Sequence, residues 1–156
     1  MIIYQEKVPT YPLITAIVGI TVLIFLILAI APFFGKFLQI TPTVQFILIF
    51  VILLDAIALI SFNKLTIILT DTHFSFGFGK FSKKVALKDI VNVQPGEYKF
   101  SNYLGYGIRV GRDNTIGYTP RGGKGIIVTI KDDRHGYFIS TANPESLCSA
   151  IKQKIK

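Results

Sequence analysis

One carboxylate stands inside a long apolar stretch of this chain. Asp55 is the one charged residue between Lys36 and Lys64, and its immediate neighbours are aliphatic. Moving a carboxylate into hydrocarbon costs about 2.5–3.5 kcal/mol on insertion scales, so such a residue needs a reason to be there. Two roles fit it. It forms an ion, proton or oligomer site, or it is a protonated or paired group that fastens two helices together.

The position of Asp55 predicts a partner. It lies about eight residues, or ~12 Å of helix, from the end of its apolar stretch. An antiparallel helix formed by the preceding stretch places residues 19–21 at the same depth. Gly19 allows close approach between helices, and Thr21 has a hydroxyl to donate. Thr21 is therefore a candidate hydrogen-bond donor to Asp55 within a helix pair.

A second group of residues with binding potential is basic. Five lysines follow the second apolar stretch closely, and four more cations fall in loops or short strands in the middle of the chain. A basic cluster beside a membrane helix attracts anionic lipid by about 1 kcal/mol per charge. The same excess also arises from the ordinary positive bias of cytoplasmic segments. The candidate contacts for anionic lipid or an acidic partner are Lys64, Lys80, Lys83, Lys84, Lys88, Arg109, Arg112, Arg121 and Lys124.

Residue types that support catalysis or metal binding do not combine into a motif. His73 and His135 are the two histidines, and neither has Cys, His or Asp neighbours at the spacing of a metal site. Residues 121–125 lack the spacing of a phosphate-binding loop, and no hydroxyl follows Lys124. Cys148 is expected to be buried and inert. We therefore expect no catalytic site, no cofactor, no metal and no nucleic-acid partner.

Two apolar stretches must position these residues. Each is longer than the ~20 residues that cross a bilayer as a helix. The first helix is predicted at about 12–31 and the second at about 43–62, joined by a short turn, Phe33–Thr41. Residues 29–31 resemble a signal-peptide cleavage site, but the apolar run is far longer than a signal core of ~7–15 residues. We therefore expect both stretches to be retained as transmembrane helices.

The distribution of charge predicts orientation and domain organisation. Residues 1–63 contain two charges of each sign, so the net charge of +8 belongs to residues 64–156. Lys7 precedes the first helix and several lysines follow the second, whereas the outer turn carries Lys36 alone. Lys and Arg near helix ends favour the cytoplasm. We expect an N-terminal segment and hairpin at 1–63, a cytoplasmic domain at 64–156, and both termini on the cytoplasmic side of the cell (inner) membrane.

Strand patterns dominate the domain up to residue 140. The phenylalanines of residues 74–78 alternate, which is typical of a half-buried strand. Polar turns at 111–114 and 131–136 predict two hairpins. A further strand is interrupted near Lys88 and ends at Pro95. The predicted strands are Leu65–Thr70, His73–Phe78, Lys84–Gln94, Tyr106–Val110, Thr115–Tyr118, Gly125–Ile130 and Tyr137–Ser140.

The carboxyl end changes to a helical period. Asn143 is a favoured capping residue, and Pro144 suits the first helical position. Leu147, Ile151 and Ile155 then fall on one stripe of a helix. The sequence therefore predicts an α+β domain of about six or seven strands, closed by one amphipathic helix.

Five sets of residues carry a resemblance to a known family. They are Leu69–Asp71, Val85–Ile90, Tyr106–Arg109, Gly125–Val128, and the ending Ile139–Thr141, Asn143–Leu147 and Ala150-Ile151. The domain resembles the pleckstrin-homology-like fold, and the whole chain resembles small prokaryotic membrane proteins that join a two-helix hairpin to a bacterial pleckstrin-homology-like domain. The resemblance implies a β-barrel or sandwich with a C-terminal capping helix. It implies no catalytic or binding residue, because fold does not fix function.

These observations favour binding over catalysis. We expect a non-enzymatic integral membrane protein whose basic domain binds a protein partner, anionic lipid headgroups or another copy of itself at the cytoplasmic face. The alternative is an oligomeric transport or channel accessory subunit in which Asp55 lines a pathway. Because two helices cannot enclose a pore, the alternative requires assembly of several copies.

Overall fold

A computed structural model describes residues 1–34 and 41–155 of the chain. These residues form two units. One unit combines Met1–Thr10 with the chain from Phe62 onward, and the other is Tyr11–Ser61. The first ten residues therefore belong to the β-rich unit, although both helices separate them from the rest of that unit in the sequence.

The helical unit consists of two long apolar helices. Helix α1 is Pro12–Phe34 and helix α2 is Pro42–Phe62, of 23 and 21 residues. At about 1.5 Å per residue each is long enough to cross a hydrocarbon core of about 30 Å. Helix α1 starts where the sequence predicts and continues three residues past the expected end at 31. Most of the predicted turn Phe33–Thr41, including Lys36, lies outside the described residues.

Both helices leave their apolar side chains exposed. Helix α2 has no buried residue, and in the described part of α1 the one buried hydrophobic side chain is that of Ala29. Gln45 of α2 donates a hydrogen bond from its side-chain amide to the carbonyl of Ala29, at 2.9 Å. The two helices are long and apolar enough to cross a membrane. Their exposed surface is the kind that lipid or another apolar partner covers.

The first sheet of the β-rich unit is an antiparallel meander in the order β1-β2-β3-β4. Strand β1, which the sequence analysis does not predict, pairs along β2. Its Val8 side chain enters the core and is 1% exposed. The strands of this first sheet are β1 (Ile2–Pro9), β2 (Lys64–Thr70), β3 (His73–Phe78) and β4 (Phe81–Ala86).

The second sheet has five strands in the order β5-β8-β9-β7-β6. The two predicted hairpins are present as antiparallel pairs β6–β7 and β8–β9. Strands β7 and β9 pair in parallel, which local sequence patterns do not reveal. The strands of this second sheet are β5 (Ile90–Glu97), β6 (Gly107–Val110), β7 (Thr115–Thr119), β8 (Lys124–Ile130) and β9 (Gly136–Ser140).

The predicted interruption near Lys88 is confirmed, but the predicted strand Lys84–Gln94 is wrong in two other respects. Its two halves belong to different sheets, because a 3-10 turn at Leu87–Asp89 carries the chain from β4 to β5. Strand β5 also continues through Pro95 to Glu97. Proline is tolerated there because β5 is the edge of its sheet, where a missing N–H leaves no ladder bond unmade.

The core lies between the two sheets and helix α4 (Pro144–Ile155). Phe74, Phe76 and Phe78 are each 0% exposed, so the predicted core strand is confirmed. The helix adds a stripe of Leu147, Cys148 and Ile151, all buried. The structure thus has two sheets with a C-terminal helix, an open α+β arrangement of nine strands within the described residues.

Candidate functional site

Both connections to the helices leave the β-rich unit from one end of the first sheet. Pro9 is the register partner of Lys64 in the β1–β2 ladder. The amide of Thr10 donates to the carbonyl of Asn63 at 3.0 Å, and its hydroxyl donates to the carbonyl of Phe62 at 2.7 Å. Thr10, two residues before α1, and Phe62, the last residue of α2, are therefore fixed side by side. We call this end of the unit the helix-exit end.

An exposed cluster of cations and one aromatic ring lies at the helix-exit end. Phe62, the last residue of α2, stacks on Phe81 with ring centroids 5.6 Å apart and planes within 8°. Phe81 is 53% exposed and follows Lys80 in the turn between β3 and β4. Lys7 on β1 and Lys64 on β2 are also exposed and lie at this end of the sheet. We define the exit surface as Lys7, Lys64, Lys80 and Phe81.

Two of the predicted basic contacts lie away from the exit surface. Strand β2 has seven residues, so at about 3.3 Å per residue its far end is about 20 Å from Lys64. Lys88 lies in the 3-10 turn beyond β4, at that far end. Lys84 is opposite Ser75, part of the way along the sheet. Since charges are screened over about 8 Å at physiological salt, Lys88 is too distant to act with the exit surface.

Lys83 is engaged inside the unit and differs from the other predicted contacts. Its ammonium donates to a carboxylate oxygen of Asp133 at 2.7 Å and to the hydroxyl of Tyr137. Burial opposes the charge, but these hydrogen bonds outweigh it and raise the pKa of Lys83. Hydrogen bonds from Lys83 and Tyr137 hold the pKa of Asp133 well below its usual range. This cluster joins β4 of one sheet to β9 of the other, so the side chain of Lys83 has a structural partner.

The basic residues of the second sheet divide in the same way. The Cβ position of Gly107, at the start of β6, is 3.9 Å from the ring of Phe62, so this corner also lies at the helix-exit end. Arg109 follows two residues later on β6 and is exposed. Arg121 follows Thr119, the register partner of Gly107.

The remaining two cations of this sheet have other surroundings. Arg112 lies in the turn at the opposite end of β6, where its amide donates to the carbonyl of Asn102 at 3.2 Å. Lys124 begins β8 opposite Glu97 of β5. Arg109 and Arg121 therefore lie toward the helix-exit end of the second sheet, whereas Arg112 lies at the other end of its hairpin.

A layer of aromatic rings, which the sequence analysis misses, covers the outer face of the second sheet. We call residues 98–106 the aromatic loop; it contains the short helix α3 (Phe100–Tyr103). Tyr98 stacks on Tyr103 and on Tyr106, with centroids 5.5 and 5.4 Å apart. Tyr103 also packs on Phe138 of β9, at 5.8 Å.

Small residues on the sheet make room for the aromatic loop. The Cβ position of Gly117 lies 2.9 Å from the ring of Tyr103, and that of Gly125 lies 2.6 Å from the ring of Phe138. A larger side chain at either position would displace the rings. Glycines within predicted strands are therefore the signal that another group approaches the sheet closely.

No family model, curated protein or solved structure matches this chain.

Thr21, the candidate donor to Asp55, is hydrogen-bonded elsewhere in the structure. The hydroxyl of Thr21 donates to the carbonyl of Ile17 in its own helix, at 3.0 Å. Nothing lies within 4 Å of the Cβ position of Gly19 apart from its own helix backbone and chain neighbours. Within the described part of the helices, the hydrogen bond between them joins Gln45 and Ala29, and Asp55 takes part in none.

The histidines and the cysteine have structural surroundings. Nδ1 of His73 is 2.7 Å from the hydroxyl of Thr72, and Nδ1 of His135 is 3.0 Å from the carbonyl of Asn114. Cys148 is buried, and burial raises the pKa of its thiol. Within residues 1–34 and 41–155, no group of three His, Cys, Asp or Glu side chains is placed to hold a metal ion.

The exposed lysines of the exit surface have the charge that would attract an anionic surface.

Proposed function

We propose that this chain is a non-enzymatic integral membrane protein whose β-rich domain binds anionic lipid headgroups through the exit surface. In this proposal α1 and α2 cross the bilayer and both termini are cytoplasmic. The observation that carries it is the stack of Phe81 on Phe62, flanked by Lys64 and Lys80. Because Phe62 ends an apolar helix of membrane-spanning length, residues that touch it belong at the depth of the headgroups.

The chemistry of the exit surface supports a lipid contact. Lys7, Lys64 and Lys80 take part in none of the ion pairs among the described residues, so their charges are available to an external anion. An aromatic ring beside lysines is the combination found at membrane interfaces. At about 1 kcal/mol per charge, three cations stabilise the docked domain by about 3 kcal/mol on an anionic bilayer.

We also propose that the domain is pleckstrin-homology-like. A four-stranded meander, a second sheet and a closing C-terminal helix support this assignment. The parallel pairing of β7 with β9 is a departure from a simple antiparallel arrangement. A protein partner or a second copy of the chain remains an alternative occupant of the exposed basic surface.

Amide hydrogen exchange of the full-length protein in nanodiscs tests the lipid contact. We expect the turn Gly79–Phe81 to exchange more slowly in anionic than in zwitterionic nanodiscs at low salt. The double variant Lys64→Gln/Lys80→Gln should lose this difference, because removal of two charges costs about 2 kcal/mol of attraction. The matched variant Lys84→Gln/Lys88→Gln should keep it. Equal exchange in both lipids for the unmodified protein would overturn the proposal.

The second candidate is an oligomeric transport or channel accessory subunit. It is favoured by Asp55, which is half-buried and forms no hydrogen bond among the described residues. In an oligomer, a second copy of the chain would supply the polar partner for Asp55 that Thr21 does not supply. Native mass measurement in nanodiscs decides the matter: this candidate requires an oligomer that Asp55→Leu disperses, and a strict monomer excludes it.

A further inference from the structure

Leu104 adopts a backbone conformation that leucine rarely takes. Its φ is 53°, in the left-handed region. The other non-glycine residues with positive φ in the described chain are Asn114 and Asp132, types that tolerate it. The leucine side chain gains little from burial in return, because it is 61% exposed. Helices commonly end in this conformation, but usually at glycine, so the leucine at the end of α3 keeps some backbone strain while its side chain stays exposed.

The aromatic loop holds Leu104 in this conformation. The amide of Leu104 donates to the carbonyl of Phe100 at 2.7 Å and so closes the single turn of α3. The hydroxyl of Tyr98 donates to the carbonyl of Gly105 at 2.6 Å, and the stacked rings lie beneath. Phe100 is itself 59% exposed. Two large apolar side chains are thus presented on a support of tyrosine rings.

The middle of the loop contacts the turn at the far end of the β6–β7 hairpin, and its last residues return to the helix-exit end. Tyr106 precedes Gly107, whose Cβ position is 3.9 Å from the ring of Phe62. The guanidinium of Arg109 lies alongside Gly105, with Nε 3.7 Å from its Cβ position, and Nε donates to the carbonyl of Tyr106. Exposed apolar residues flanked by tyrosine and arginine have the composition of segments that enter the headgroup layer of a bilayer.

We infer that the aromatic loop inserts Phe100 and Leu104 into the interfacial layer of the lipid bilayer. This inference rests on one part of the proposed function, that the β-rich domain lies against the membrane, and it does not depend on the exit surface as the point of contact. It adds an apolar contact to the electrostatic one, at a different loop from the exit surface. A bilayer fits better than a protein partner because the loop continues directly into the corner that touches the end of α2.

The absence of tryptophan from the sequence allows a direct measurement. Single tryptophans at Phe100, at Phe81 and at Val91 are introduced into the full-length protein, in nanodiscs with and without brominated lipid. Val91 is 62% exposed and lies at the start of edge strand β5, so it is the solvent control. We expect loss of emission with brominated lipid for Phe100→Trp and Phe81→Trp, and no loss for Val91→Trp.

The three probes separate the two proposals. If the emission of Phe81→Trp is quenched and that of Phe100→Trp is not, the loop insertion is overturned and the exit-surface proposal stands. Quenching of neither overturns both. Quenching of Phe100→Trp without Phe81→Trp supports the loop insertion and overturns the exit surface.

Substitution of Leu104 distinguishes a lipid contact from a structural role. Leu104→Gly relieves the backbone strain, so we expect an unchanged or raised melting temperature together with weaker quenching of Phe100→Trp. Val91→Asn, at an equally exposed apolar position, should not change that quenching. A lowered melting temperature with undiminished quenching would show that Leu104 serves the fold and would overturn its role in insertion.

Discussion

The carboxylate of Glu6, on the first strand, accepts a hydrogen bond from the hydroxyl of Thr141, in the segment that leads into α4. The other oxygen of Glu6 accepts from the amide of Ala142 at 2.8 Å. The hydroxyl of Tyr4 donates to the same carboxylate at 2.6 Å. One side chain before the helices therefore ties the amino end of the domain to the segment that precedes its closing helix, 135 positions away.

Removal of this carboxylate should destabilise the β-rich unit. Glu6→Ala leaves Thr141 and the amide of Ala142 without their acceptor, and hydrogen bonds to charged groups contribute about 1.5–3 kcal/mol each. Because the bond from Ala142 is exposed to water and contributes less, we expect a loss of about 2–4 kcal/mol and a lower melting temperature, measured by thermal unfolding of the full chain in detergent. Gln5→Ala, at the exposed neighbouring position, is the control. Equal melting temperatures for the two variants would contradict this account.

Local patterns predict the elements of this fold better than their partners. The helices, the two hairpins and α4 follow from apolar period and turn residues. Strand β1 is missed because its partner β2 follows only after both helices, and eight residues give no local sign of such a pairing. Lys83 is interpreted as a free cation from the sequence because Asp133 is 50 positions away.

The candidate site, too, is only partly predictable from local sequence patterns. Lys64 and Lys80 are exposed, and Lys64 is near Phe62 in the sequence, but the position of Lys80 at the same end of the sheet depends on strand pairing. From the sequence, the aromatic loop is interpreted as an ordinary loop that leads into a strand. Its signal is the set of glycines at 96, 117 and 125, which face aromatic or aliphatic side chains of neighbouring segments. Thr21 fails as a partner of Asp55 because its hydroxyl finds an acceptor in its own helix.

Asp71 should make stability depend on pH in the acid range. Its carboxylate accepts hydrogen bonds from the Met1 amino group and from Lys154, both at 2.9 Å, and these lower its pKa from 3.8 to about 2. A group with a lowered folded pKa stabilises the fold above its unfolded pKa, and the contribution is lost as pH falls through the folded value.

We therefore expect Asp71→Asn to be less stable than the parent at pH 5 and to converge on it as pH falls from about 4 to 2. Urea unfolding of the full chain at several pH values measures the difference. Asp132→Asn is the control, because Asp132 is exposed in a turn and belongs to none of the ion pairs among the described residues. A stability difference for Asp71→Asn that does not change between pH 5 and 2 would rule out the ion pairs as its cause.

Gly125 should not tolerate a side chain. Its Cβ position lies 2.5 Å from the carbonyl oxygen of Ile139 and 2.6 Å from Cζ of Phe138. Gly125→Ala must push β8 from β9 or displace the ring beneath the aromatic loop, and overpacking of this kind costs about 1–3 kcal/mol. Thermal unfolding should show a lower melting temperature, whereas Thr129→Ala, exposed on the same strand, should have a small effect. Similar losses for both variants would show that the strand, not the close approach, is sensitive.

Phe62 should control the order of the turn between β3 and β4. Its ring contacts Phe78 at 5.3 Å and Phe81 at 5.6 Å, between ring centroids, so it secures both ends of that turn. Phe62→Ala removes two aromatic contacts worth about 0.5–1.5 kcal/mol each. We expect amides of residues 78–81 to exchange about tenfold faster or more in the full chain, since exchange reports local opening. Phe46→Ala, on the same helix at a 75% exposed position, should leave these amides unchanged. Faster exchange spread evenly over the first sheet would instead indicate general destabilisation and would refute a local role for Phe62.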